Sequence, residues 1–472
     1  MNASRRHFLR MAAGLSACHA PQCAPWALSL AGLGALAIDT ARAASTDGYR
    51  ALVCLFMTGG NDAHNWIVPT HSSGHAEYPR VRGDLALPLA RLNPLSSTGQ
   101  GSGRTFGMPK ELEPLRVRYE AGQLAVLSNV GPLERPLTRT EYLAGSPDVP
   151  LKLFSHNDQQ STWQSLGVEG SESGWGGRMG DLLQSANNRP LLTTVSTAGN
   201  AVFLTGRSIQ QYQVGMTGPK NIPQLEWEWL YGSRTASALL RQTLLNKGSN
   251  PFQSEYARVT QRALDTAKDL RTAIAATSIA TLPTTPITLP SGKTLVLATD
   301  ELAMQLRTVA QMIAAGQNMG LRRQIFLVAL SGFDTHSNQL QAHSLLTSRV
   351  AHSVDWFVET LQQAGLFDRT VLFTASDFGR TLTSNGDGSD HGWGSHHLIL
   401  GGGIRGRAIY GNFPVTALGT ATDIGNGRLL PTVSVTEYAA TLGRWLGLST
   451  SELATALPNL SSFASSDLGF LR

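Results

Sequence analysis

The chain has 472 residues, 42% of them hydrophobic and 15% charged, which suits a soluble globular protein and is too long for one small core. One large α/β domain with insertions, or two domains, is expected. The net charge of +5 owes much to the first residues: removing 1–43 takes away Arg5, Arg6, Arg10 and Arg42 against Asp39 alone and leaves +2, so charge makes no case for nucleic-acid binding.

Ser4-Arg5-Arg6-His7-Phe8-Leu9-Arg10 matches the twin-arginine export motif. An apolar region follows, and Ala41-Arg42-Ala43 reads as an A-x-A cleavage site before Ala44. His19, Pro21, Gln22 and Pro25 interrupt the apolar region, so no stable membrane span is expected. Leu15-Ser16-Ala17-Cys18 resembles a lipoprotein box, but it precedes most of the apolar region, which argues against lipid anchoring at Cys18. The expectation is a signal at 1–43, carried by the twin-arginine translocase, and a periplasmic or secreted mature chain of 44–472. Cys18 and Cys23 leave with the signal, and Cys54 alone cannot form an intrachain disulfide.

In the mature chain Ala51-Leu52-Val53-Cys54-Leu55-Phe56 reads as a buried strand ending in Thr58-Gly59-Gly60-Asn61-Asp62. Ligands of open α/β sheets sit beyond the carboxyl ends of strands, so Asp62 stands where a first metal ligand would, although Asn61 and Asp62 equally suit a turn. Residues 69–110, rich in Pro, Gly and Ser, look like a surface insertion, and 123–130 is a second strand. Ser155 precedes a helix through Gln164. With Asp158 it suits a cap, the commoner role, and it also suits a nucleophile at a helix N-terminus, where the dipole favours an oxyanion. Another helix begins near Gly174, and 191–195 is a strand. Residues 200–320 read as a largely helical insertion or cap. The run 324–330 is a strand ending in Gly332-Phe333-Asp334-Thr335-His336, an Asp-x-His pair able to meet one ion. A helix over 341–365 holds His343 and His352 as packing or surface residues. The strand 370–375 leads into Ser376-Asp377-Phe378-Gly379-Arg380-Thr381, and Ser389-Asp390-His391-Gly392 precedes the apolar run 398–400. A closing amphipathic helix covers 436–447.

Asp and His gathered at strand ends favour zinc, manganese or iron over magnesium, and one or two divalent ions, zinc or manganese, are expected. The proposed ligands are Asp62, Asp334, His336, Asp377 and His391, with His396 and His397 as rivals of His391.

The export motif, Phe56-Met57-Thr58-Gly59-Gly60-Asn61-Asp62, Gly332-Phe333-Asp334-Thr335-His336, Ser376-Asp377-Phe378-Gly379-Arg380-Thr381 and Asp390-His391-Gly392 together resemble the exported bacterial family of domain of unknown function 1501, over nearly the whole mature chain. That family is regarded as related to the alkaline phosphatase and sulfatase superfamily. The resemblance implies an alkaline phosphatase-like three-layer sandwich, with a mostly parallel central sheet and helices on both faces. It also implies a hydrolase of small or polymeric phosphate or sulfate esters. Ser155 would be its nucleophile, and Arg380 would hold a substrate oxygen or, equally, form a structural ion pair with a nearby carboxylate. Phe378 departs from the pattern, standing where the superfamily has a His. The alternative function is a non-catalytic metal-binding or assembly protein of the periplasm on the same fold.

Overall fold

The computed structural model describes residues 48–472. The export signal expected at 1–43 lies outside the described residues. The elements that frame the site are, in chain order, β1 (Arg50–Thr58), α1 (Ser72–Arg82), β2 (Leu124–Gly131), α2 (His156–Ser165), α3 (Trp175–Leu183), β3 (Thr194–Ser196), β4 (Tyr212–Gln213), α4 (Ala236–Leu244) and α5 (Pro251–Ala275). They continue with α6 (Glu301–Asn318), β5 (Arg323–Ser331), α7 (Gln339–Gln363), β6 (Thr370–Ser376), β7 (Ser395–Gly401), β8 (Ile409–Tyr410), β9 (Val433–Ser434) and α8 (Val435–Leu446).

The strands form one nine-stranded sheet in the order β8-β2-β7-β6-β1-β5-β3-β4, with β9 also on β2. β1 pairs in parallel with β5 and β6, and β5 with β3, whereas β7 runs antiparallel to both β6 and β2. β1 is therefore central and buried on both faces, which is why it reads as an unbroken apolar run. Register aligns Met57 with both Leu330 and Ser376, so β1, β5 and β6 end level with one another. The loops after them, carrying Asp62, Asp334 and Asp377, leave the same edge of the sheet.

Helices cover both faces, giving a three-layer α/β sandwich. On one face Ala51, Val53, Leu55 and Met57 join a core with Leu306, Val309 and Ile313 of α6 and Val350, Val354 and Phe357 of α7. On the other, Trp175 of α3 and Tyr438 of α8 meet Phe373 of β6, and Trp163 of α2 meets His397 of β7. α8 is stopped by sequence at both ends: Ser434 and Glu437 form a reciprocal capping box, and Gly447 takes the left-handed conformation at φ 101°. Within 200–320, β4 joins the main sheet and α6 packs on it, while α4 and the first half of α5 stay largely exposed. Among the described residues no helix is long and apolar enough to cross a membrane.

Candidate metal centre

The turn after β1 is tight because two glycines permit it. Gly59 and Gly60 have φ of 117° and 85°, and a Cβ on Gly59 would run into the backbone nitrogen of Asp334. That approach brings the loops of β1 and β5 together, and the Gly59 N–H donates to Asp377 Oδ2 at 3.1 Å, adding the loop of β6.

Four side chains converge beyond these loops. The Nε2 atoms of His336 and His391 are 2.8 Å apart, and both lie near Asp334 Oδ1, at 3.1 Å and 3.3 Å. Nε2 of His156, from the first turn of α2, lies 3.4 Å from Asp334 Oδ2. One donor atom each from His156, Asp334 and His391 falls within 4.8 Å of the others.

Two of the three rings are held from behind at Nδ1 by a hydrogen bond, and the third has a carboxylate near it. His391 Nδ1 meets the carbonyl of Phe154 at 2.7 Å, His156 Nδ1 meets Asp377 Oδ2 at 2.7 Å, and His336 Nδ1 faces Asp390 Oδ1 at 3.4 Å. An acceptor at Nδ1 fixes the proton there and leaves the Nε2 lone pair forward. The Nε2 lone pairs of His156 and His391 thus face the Asp334 carboxylate, with His336 Nε2 beside Asp334 and His391. His336 and His391 share a hydrogen bond when His336 carries its proton on Nε2; with both protons on Nδ1, the two bare lone pairs at 2.8 Å repel unless a cation lies beside them. His156 Nε2 is a buried nitrogen with no hydrogen-bond partner. The donor set, three imidazoles and one carboxylate, suits zinc, manganese or iron. The residues therefore fit a divalent ion.

Charge around the cluster is graded by its neighbours. Burial alone would raise Asp334, but the hydrogen bond and charge of Arg380 outweigh it and hold the carboxyl below its usual range. The Asp377 hydrogen bond raises His156, while burial lowers His391. Asp390 is lowered, first by its hydrogen bond from Asn385. Phe378 backs the rings of His156 and His391, with centroids 4.9 Å and 4.6 Å away.

The remaining expected residues are placed as follows. Asp377 is fully buried, reached by Gly59, His156 and Gln160 through Oδ2. Asp62 is fully buried and pairs with the equally buried Arg82 of α1, and Gln339 of α7 donates to the same oxygen. Burial would raise the Asp62 carboxyl, but the charge of Arg82, first among its charged neighbours, holds it low. Arg380 is buried too. Its donors go to the carbonyls of Gly59 and Ser389, to Ser389 Oγ and to Asp334 Oδ1 at 3.1 Å. Ser155 is the N-terminal flanking residue of α2, and its Oγ donates to Asp158 Oδ2 at 2.6 Å. The residues on either side of it, Phe154 and His156, both touch the cluster. His396 and His397 are buried in β7: the first accepts from the Asn129 N–H and stacks on Phe413, and the second faces Thr374 and Trp163.

Sequence reasoning missed His156 as a donor, and Arg82 and Gln339 as the partners of Asp62. His156 carried one usable signal, its place on the first helical turn beside the hydroxyl already singled out. Arg82 carried none, since it lies in a stretch that looks like surface.

A three-layer α/β protein with a candidate metal centre at the carboxyl edge of its sheet is the class these features define. The family described as "Protein of unknown function (DUF1501)" matches residues 136–457, and the chain belongs to that family. No curated protein matches the chain significantly. Among solved structures it is similar to the phosphonate monoester hydrolase from Silicibacter pomeroyi, at 10% identity over 85% of this chain and 74% of that one, TM-score 0.34. It is similar to the PsFucS1 sulfatase from Pseudoalteromonas sp., at 12% identity over 96% and 77%, TM-score 0.33. It is also similar to the C-terminal periplasmic domain of EcEptC from Escherichia coli in complex with Zn, at 11% identity over 86% and 85%, TM-score 0.32.

Proposed function

We propose that this protein is an exported, metal-dependent hydrolase of phosphate or sulfate esters. The observation that carries the metal is the approach of His156, His336 and His391 Nε2 to Asp334, with Nδ1 of His156 and His391 each hydrogen-bonded to an acceptor. Asp334 and His336 are nearly half exposed. That exposure leaves a side from which a substrate can approach an ion held there. The ester class rests on the resemblance of the strand-end motifs to a family related to phosphatases and sulfatases.

When bound, a divalent ion supplies Lewis acidity toward an ester oxygen and toward a leaving oxygen. The chain's own residues do the rest. Arg380 keeps Asp334 ionised and fastens the loops of β1 and β5 to that of β6. Asp377 aims His156 and keeps its proton on Nδ1, and Asp390 faces His336 Nδ1. Asp62 acts at one remove, by holding Arg82 and Gln339 beneath the first loop. Ser155 is the proposed nucleophile: α2 points its positive end at it, and Asp158 already accepts its hydrogen. Attack by Ser155 Oγ on phosphorus or sulfur forms an enzyme ester as the alcohol leaves, and water then cleaves that ester. Residues 1–43 are the proposed twin-arginine signal.

The test is metal content of the purified protein, followed by turnover of p-nitrophenyl phosphate, phosphonate and sulfate. Bound metal with turnover of one ester supports the proposal. The full commitment of Arg380 to protein partners favours a second reading, a metal-binding protein without catalysis, and bound metal with no turnover would select it. Absence of bound metal from protein folded in zinc or manganese would overturn both.

A further inference from the structure

Five of the six exposed aromatic side chains among the described residues lie between positions 227 and 256: Trp227, Trp229, Tyr231, Phe252 and Tyr256. Folding does not require them there. Trp229 and Tyr231 sit on a short hairpin closed by reciprocal backbone hydrogen bonds between Leu230 and Ser233. The two tip residues, Tyr231 and Gly232, have φ of 51° and 75°. Turns with two positive φ values favour Asn-Gly, because a left-handed conformation costs a bulky residue about 1 kcal/mol or more. Here that position holds a tyrosine ring that is 95% exposed.

α5 shows the same excess. Phe252, Tyr256 and Val259 stand at i, i+4 and i+7, an apolar stripe that faces solvent, with Phe252 86% exposed at the start of the helix. The side chains that α5 buries are Ala257, Thr266, Ala267 and Leu270, three of them in its second half. Its first half therefore has an apolar face that nothing in the described chain covers. Between residues 220 and 262 there are six Lys and Arg against three Asp and Glu. Arg234 stacks over the ring of Trp229 at 4.8 Å, and Arg241 and Lys247 are exposed between the two aromatic groups in sequence.

We infer that this segment, the hairpin about Tyr231 with α4 and the first half of α5, is a docking arm for an anionic lipid surface. Tyr and Trp favour the headgroup region, an amphipathic helix lies in it with its apolar stripe down, and Lys and Arg are drawn to anionic headgroups. The projecting form of the rings favours lipid over a second copy of the chain. A fluid interface accepts single rings at a hairpin tip and a helix start, whereas a protein partner must present a fitted pocket for each. The inference is independent of the chemistry proposed for the metal centre, and the arm would hold that centre near substrates at a membrane.

Co-sedimentation of the full chain with phosphatidylcholine vesicles, with and without phosphatidylglycerol, tests it. Wild type is expected to sediment with the anionic vesicles and not with phosphatidylcholine alone. The triple variant Tyr231→Ser, Phe252→Ser, Tyr256→Ser should weaken binding by about tenfold or more at an unchanged melting temperature. The chain beginning at Ala44 is run beside the full chain, so that any affinity of residues 1–43 is measured separately. Should the triple variant fail to fold, Arg241→Glu with Lys247→Glu tests the same arm through charge and should also weaken binding to anionic vesicles. Failure of wild type to sediment, or equal sedimentation of wild type and variants, would overturn the inference. So would a self-associated state in analytical ultracentrifugation that the triple variant abolishes without any vesicle binding.

Discussion

His156→Ala removes the donor that joins α2 to the metal centre. A structural zinc site of four ligands contributes about 10–16 kcal/mol, so one ligand accounts for about 2.5–4 kcal/mol and its loss should weaken binding about 60- to 700-fold. The same substitution takes a 2.7 Å hydrogen bond from the fully buried Asp377, whose Oδ2 keeps the Gly59 N–H and Gln160. That loss should cost about 1.5–3 kcal/mol of stability in the metal-free protein. Asp377→Asn leaves the ligand and disturbs only its orientation, so affinity should fall by about 10- to 100-fold. The pH dependence separates the two roles. Protons compete with metal for Nε2, and Asp377 raises the His156 pKa, so affinity should fall as pH drops through that raised value. Asp377→Asn should move the fall to lower pH. The assay is competition against a chromophoric chelator for zinc and for manganese. An affinity in His156→Ala within about twofold of wild type would refute the argument, since a ligand cannot be worth so little.

Ser155→Ala should abolish ester turnover while metal content stays at the wild-type level; loss of both together would make Ser155 a support of α2, and full activity would remove it from the mechanism. Arg82→Met should lower unfolding free energy by about 3–5 kcal/mol in urea titrations, because it leaves the fully buried Asp62 carboxylate unpaired. Burial lowers His343 to about 4 and His397 to about 3. Both stay neutral when folded, so the stability they contribute is present above an unfolded pKa near 6.5 and is lost as pH falls through 4 and 3, by about 3–5 kcal/mol each. His397→Leu, which also removes a buried nitrogen without a partner, should flatten that acid slope without loss of stability at neutral pH.

The central sheet was readable because its strands are buried on both faces: Ala51–Phe56 and Ile325–Leu330 are unbroken apolar runs that end in polar, glycine-containing loops. The same loops displayed Asp334, His336 and His391, and the level ends of β1, β5 and β6 are what bring their loops together. Other parts depend on contacts that leave no periodic trace. The link between His156 and Asp377 joins residues 221 positions apart, and that between Arg82 and Asp62 rests on α1, which lies in a stretch rich in Pro, Gly and Ser. The buried histidines of β7 illustrate the converse. His396 and His397 looked like rivals of His391 by sequence proximity, yet they lie within a strand, and a strand passing through the core turns its side chains into packing. The loop residue four places earlier than Ser395 faces the open edge instead.

The central claim is that His156, Asp334, His336 and His391 hold one divalent ion. Anomalous diffraction from crystals of the protein, collected at the zinc and manganese edges, tests it most directly. An anomalous peak is expected about 2.0–2.2 Å from the three Nε2 atoms and an Asp334 oxygen. No peak after soaking in either metal, or a peak held by other residues such as Asp62, would contradict it.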